Sequence, residues 1–209
     1  MRPQDWLVND EGICLPCKSP RQWDLLTETD NYRFHRFLTD IEDVVNRAEI
    51  EGLAEKDFLP GLRRLARKLL VHCHWIADRI TDPDPRSGYS FQMLYDEPGL
   101  PITIQTEVNL PGTKTPIHNH GTWGVVAMIK GQQKNTFWKR VPTAEFLNKI
   151  EPIGEQILEA DDIISFTTDA IHHVEAEGDE PAITLNLYGD TFGFKRFQFD
   201  PLTHQAINF

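Results

Sequence analysis

The chain has 209 residues, 40% hydrophobic and 25% charged, the balance of a water-soluble domain large enough for a sizeable core. Its 32 acidic and 21 basic residues give a formal net charge of −11, which argues against nucleic acid or an anionic membrane surface as partner. No apolar run reaches transmembrane length, the first residues lack the apolar core of a signal peptide, and three cysteines are too few for a disulfide framework, so a cytoplasmic protein is expected.

The first thirty residues are mixed in character and read as a loosely ordered arm. They contain Cys14-Leu15-Pro16-Cys17, without the strand–helix pattern of a redox motif and with only Cys73 left to complete a zinc set. From Asn31 the pattern becomes helical: Phe34, Phe37, Leu38, Ile41, Val44 and Val45 recur at spacings of three and four. A second helix is expected from about Phe58, with Asp57 as N-cap and Pro60 in the first turn. Leu62, Leu65, Leu69 and Ile76 form its apolar face, and Arg63, Arg64, Arg67 and Lys68 the opposite one. His72 and His74, near its end, do not share a helix face and are poor partners for one ion; they read as partly buried polar residues. Thr81 to Gly88 is a Pro-, Asp- and Gly-rich loop.

After this loop the period changes to two. Ile102, Ile104, Thr106, Val108 and Leu110 alternate with Thr103, Gln105, Glu107 and Asn109. Short strands then follow at Trp123–Ile129, Asn135–Lys139, Ile163–Phe166, His173–Ala176, Ala182–Tyr188 and Phe194–Phe199, the signature of a sandwich or barrel. Val141 to Ile157 is the one longer connection. Trp123 is expected in the core, and Phe192, Phe194, Phe197 and Phe199 on a core-facing edge strand. The chain therefore divides into an arm with two helices, residues 1–88, packed on a β unit, residues 89–209.

The chemistry gathers around Pro116 to Gly131. On a strand, His118 and His120 point the same way and can meet one ion. Neutral imidazole suits Zn, Cu, Fe and Ni alike, so the pair does not name the metal. Asp169-Ala-Ile-His172-His173-Val174 offers a third imidazole in a turn before a strand. Thr184, Asn186 and Tyr188 lie two apart and share a strand face, and Tyr89 to Tyr95 is rich in aromatics. Three neutral imidazoles leave half of an octahedral ion open. Iron(II) in that setting binds substrate and dioxygen together, and zinc with three histidines and a water competes.

Gly112-(x5)-His118-x-His120, with Gly131 closing the strand, resembles the first motif of the cupin superfamily. GTKTPIHNHGTWGVVAMIKG, DAIHHV and PAITLNLYG together resemble the cysteine dioxygenase type I family of thiol dioxygenases, nearest its bacterial 3-mercaptopropionate dioxygenase-like branch. The resemblance covers Trp75 to Phe192, about half of the chain. It implies a cupin jelly-roll barrel, mainly β, behind an N-terminal helical segment, with Fe(II) (zinc or nickel possible as isolated) oxidising a small thiol to a sulfinate with O2, as a monomer or dimer. It implies His118, His120 and His172 as metal ligands, the last by its Ile-His-x-Val context. It implies Thr184, Asn186 and Tyr188 as catalytic, where the family has Ser, His and Tyr. Gly124 stands where animal enzymes carry the cysteine that crosslinks to tyrosine. Phe91 or Gln92 stands at the family's carboxylate-binding position, which points to a thiol with an apolar or neutral far end rather than cysteine. The alternatives are a cupin that binds metal or ligand without turnover, another cupin oxygenase, or a zinc enzyme.

Overall fold

The computed structural model describes residues 3–19, 32–78, 80–97, 100–190 and 193–209. Helix α1 (Phe34–Glu51) buries Phe37, Ile41, Val45 and Ala48, the stripe that its spacing marks. It stops at Gly52, whose left-handed backbone (φ 63°) lets its N–H reach the carbonyls of Ala48 and Glu49. Asn31, where the helical pattern begins in the sequence, lies outside the described residues. No helix among the described residues is long and apolar enough to cross a membrane.

Helix α2 (Glu55–His72) begins a turn earlier than its sequence pattern suggests. Asp57 lies inside it, and Ala54 precedes it with no side-chain cap. Glu55, its first residue, ties that start to the turn before Ile171: its carboxylate accepts from the N–H and hydroxyl of Thr168. Leu62, Leu65 and Leu69 are buried as expected, but so are Arg63 and Lys68 on the expected polar face. The arm explains Arg63. Residues Asp5–Val8 (β1) and Cys14–Cys17 (β2) form a hairpin, not a loose arm, and β1 pairs in parallel with Ile163–Phe166 (β9). This brings Asp5 to Arg67 and, at 3.8 Å, to Arg63, whose guanidinium also donates to Ser165 Oγ at 2.6 Å and Ser19 Oγ at 3.1 Å. Cys14 and Cys17 lie three apart on one strand, so they face opposite ways and are about 10 Å apart, beyond disulfide reach. At the end of α2, His74 is exposed and His72 half-buried, and Cys73 donates to the Tyr32 carbonyl. Trp75–Asp78 (α3) adds one short turn.

The remaining strands are β3 (Tyr89–Asp96), β4 (Thr103–Asn109), β5 (Ile117–Asn119), β6 (Gly124–Lys130), β7 (Gln132–Arg140), β8 (Ile150–Glu159), β10 (Ile171–Glu177), β11 (Ala182–Tyr188), β12 (Phe197–Asp200) and β13 (Gln205–Asn208). The aromatic stretch at Tyr89 is thus a strand, and the long connection after Val141 contains β8. The β8 strand is a sheet edge bearing Pro152 and Gly154, with a bulge opposite Phe137 and Trp138. A 3-10 turn, Gly193–Lys195, delays β12, so Phe194 is exposed while Phe199 is buried; Phe192 lies outside the described residues.

One sheet runs β2-β1-β9-β6-β11-β4-β3, the other β13-β12-β5-β10-β7-β8. From β4 to β11 the quartets β9-β6-β11-β4 and β5-β10-β7-β8 face each other, which is the strand order of an eight-stranded jelly roll. The fold class read from the sequence is borne out, as two facing sheets rather than a closed barrel. The first sheet is apolar on its outer face: Ile104, Val125, Ala127, Leu185 and Leu187 pack with Phe37, Leu62 and Leu69 of the helices, and Trp123 joins them. Between the sheets, Val126, Met128, Phe137, Leu158, Ile164 and Phe166 form a second core. The helices cover the apolar residues of β4 and β11, so their polar residues point inward.

Candidate metal centre and its cavity

A cavity of about 740 Å³ opens between the sheets. Its walls include Thr103, Gln105, Glu107 and Asn109 of β4 and Thr184, Asn186 and Tyr188 of β11, the polar halves of two alternating strands. His118, His120 and His172 meet at its floor, their ligand nitrogens all within 4.8 Å of one another. The β5 and β10 strands set two of them directly opposite: His118 is the antiparallel partner of His172. His172 therefore sits inside a strand, not in a turn before one. Its neighbour His173 faces the other way, where Trp138 Nε1 donates to its Nδ1 at 2.9 Å.

In His118-Asn119-His120-Gly121, the two histidines face the site and the residue after each holds the neighbouring backbone. His118 Nδ1 lies 2.9 Å from the Pro116 carbonyl, which can only accept, so the proton is on Nδ1 and Nε2 is free for an ion. His172 has the same arrangement through Asn135 Oδ1 at 3.0 Å. Asn119 points away from the histidines; its Oδ1 accepts from Phe197 N–H at 2.8 Å and its Nδ2 donates to the Lys195 carbonyl at 3.2 Å. Gly121 (φ 66°) abuts Lys195, and a Cβ there would lie 2.7 Å from the Lys195 carbonyl carbon. Together they clamp the backbone on both sides of Arg196, which lines the cavity.

The donor set fits a divalent transition metal. Two nitrogens about 2.1 Å from one ion are about 3.0–3.4 Å apart for octahedral to tetrahedral angles, and His120 and His172 Nε2 are 3.2 Å apart. Burial pushes all three imidazoles down, His118 to about 4, and neighbouring Arg196 pushes His118 and His120 further, so the neutral, ligating form is favoured. His120 Nδ1, Thr184 Oγ1 and Asn186 Oδ1 are buried without a hydrogen-bond partner among the described residues. The Tyr188 ring centroid lies 4.8 Å from that of His120, the planes tilted by 57°, and burial, reinforced by Glu107, raises the Tyr188 hydroxyl above the ordinary range and keeps it protonated. A Cβ at Gly124 would come within 3.2 Å of both His120 Nδ1 and the Tyr188 ring, so glycine leaves these two side chains their contact.

Of the two candidate substrate residues, Phe91 lines the cavity, whereas Gln92 on the opposite face of β3 interacts with Thr81 at 2.9 Å and is not part of the wall. The cavity does receive an arginine, from the C-terminal segment rather than from β3. The Arg196 guanidinium lies 4.5 Å over the Phe209 ring, and its Nε has no hydrogen-bond partner among the described residues. Sequence reasoning missed Glu107 and Asn135 as site residues. Glu107 was visible only as one polar member of an alternating strand, and Asn135 as the start of another.

No family model matches the sequence. Among solved structures, the chain is similar to a Klebsiella pneumoniae protein with a double-stranded β-helix domain: 13% identity, TM-score 0.43, over 56% of this chain and 82% of that one. It is similar to the Cnp3 cupin domain of Schizosaccharomyces pombe at 10% identity and TM-score 0.41, over 55% and 72%. It is also similar to an oxalate oxidase in complex with glycolate at 12% identity and TM-score 0.39, over 54% of this chain and 57% of that chain. The fold rests on the strand order, which is that of a jelly roll.

Proposed function

We infer that the chain is an iron-dependent thiol dioxygenase, which converts a small thiol and O2 to the sulfinate, RSH + O2 → RSO2H. The observation that carries this reading is the set of three converging imidazoles, without a carboxylate, at the floor of the cavity between the sheets. Held by His118, His120 and His172, iron(II) would supply the chemistry that joins a thiolate to dioxygen and, with no anionic protein ligand, would favour an anionic partner. Asn135 and the Pro116 carbonyl orient His172 and His118 through their Nδ1 protons. Tyr188, kept protonated by burial, donates a hydrogen bond towards the reacting oxygen or sulfur. Thr184 Oγ1 and Asn186 Oδ1, without partners among the described residues, are available to the ligand.

Arg196 supplies the positive charge that positions 91 and 92 do not, so the neutral far end suggested by Phe91 and Gln92 gives way to a ligand with charged groups. The test is oxygen uptake by iron-loaded protein with a panel of cysteine, 3-mercaptopropionate, cysteamine and an uncharged alkyl thiol. Uptake with at least one thiol, matched by sulfinate formation, is expected. No uptake with any of them, at full iron occupancy, would refute the reading.

A further inference from the structure

The cavity wall opposite the histidines holds a second charged feature that thiol oxidation does not use. Glu107 sits inside the cavity, and each of its oxygens accepts from an amide: Oε1 from Asn109 Nδ2 at 2.7 Å, Oε2 from Asn186 Nδ2 at 2.9 Å. Neither amide carries charge, and among the described residues no Lys, Arg or His forms an ion pair with Glu107. Its burial penalises the anion and raises its pKa, a cost that a cation in the cavity would relieve.

Two aromatic rings stand beside it. Phe91 is the direct antiparallel partner of Glu107 across β3 and β4, on the same face. Tyr89, two residues back on that face, pairs with Asn109, the residue that holds Glu107 Oε1. Their ring centroids are 5.3 Å apart, and both rings line the cavity while Phe91 remains 50% and Tyr89 43% exposed. A carboxylate flanked by open aromatic faces suits an organic ammonium ion, whose charge the rings attract and whose N–H groups the carboxylate accepts. A hard metal ion would need several free oxygen ligands, and both oxygens of Glu107 already accept from amides.

We propose that Glu107, Phe91 and Tyr89 form a subsite for the primary ammonium group of the ligand. Resting on the thiol-oxidation reading, this makes the substrate an aminothiol whose sulfur reaches the histidine floor and whose nitrogen reaches β4. Glu107 determines specificity here and takes no part in bond-making.

The test is calorimetric binding, without turnover. Anaerobic iron-loaded protein is titrated with 3-aminopropane-1-thiol and with propane-1-thiol, and metal-free protein with propylammonium chloride against sodium chloride of equal ionic strength. The amine is expected to bind at least tenfold more tightly than the uncharged thiol. Glu107→Gln should abolish that preference, and Phe91→Ala, at a half-exposed position, should reduce it severalfold while the protein stays folded. Equal binding of the two thiols by the unmodified protein, or an unchanged preference in both variants, would overturn the proposal. The two readings fail separately: amine preference without oxidation of any thiol would remove the dioxygenase and leave the subsite, whereas oxidation of uncharged thiols without amine preference would do the reverse.

Discussion

Replacing Asn135 with alanine should weaken metal binding without unfolding the protein. Asn135 is 1% exposed, and its Oδ1, 3.0 Å from His172 Nδ1, is the group that fixes that imidazole with Nε2 towards the other two. Alanine would leave the buried Nδ1 proton without an acceptor, at a cost of about 1–3 kcal/mol. Loss of such an orienting partner typically lowers metal affinity by about 10- to 100-fold, the same range expressed as binding. The expectation is thus a drop of about 30-fold, near 2 kcal/mol, measured by competition against a chelator of known affinity. Asn135→Asp, which keeps an acceptor at the same place, should retain affinity or raise it. Gln133, whose Oε1 lies 3.4 Å from Asn135 Nδ2, is the side chain best placed to compensate, so the double replacement should lose more than the single one. Unchanged affinity in a normally folded Asn135→Ala protein would refute the orienting role.

Three further outcomes are expected. Tyr188→Phe should keep metal and fold but lower kcat on the order of a hundredfold, the worth of one hydrogen bond to developing charge; undiminished turnover would make Tyr188 a packing residue. Arg63→Ala should destabilise the protein by about 3 kcal/mol in urea, because it strips a buried donor from Ser165 and part of the charge facing Asp5. A loss under about 1 kcal/mol would show that Arg67 alone suffices for Asp5. Metal-free protein should lose thermal stability as pH falls. The folded pKa of His118 and of His173 lies at about 4, below the ordinary 6.5, so the unfolded chain binds more protons between these values. Stability from these groups is complete above pH 6.5 and drains away towards pH 4; a Tm constant across that window would contradict their burial as neutral rings.

Much of the β unit was legible because its signals are local. The strands Ile163–Phe166 and Ala182–Tyr188 have the bounds that their sequence suggests, and Gly112 and Gly131 adopt the positive φ that marks them as turns. The convergence of His118, His120 and His172 was legible from strand alternation together with the family motif. What stayed hidden depends on partners distant in sequence. The hairpin at Cys14 exists because β1 finds the edge of β9, and Arg63 is buried because that hairpin covers it. Pro152 and Gly154 mask β8, a sheet edge where neither is forbidden. Alternation in β4 showed two faces, but only the helices packed outside decide that Glu107 looks inward. Arg196 reaches the histidines because Asn119 and Gly121 hold the backbone at Lys195, a contact between segments 74 or more residues apart.

The most direct measurement of thiol oxidation at the three histidines is turnover of iron-loaded protein under ¹⁸O₂, with mass analysis of the product, beside His172→Ala as control. The expected result is a sulfinate that carries two ¹⁸O atoms, formed by the unmodified protein and not by the variant. A fully iron-loaded protein that yields no sulfinate from any thiol in the panel, or a His172→Ala protein that keeps both iron and turnover, would contradict it.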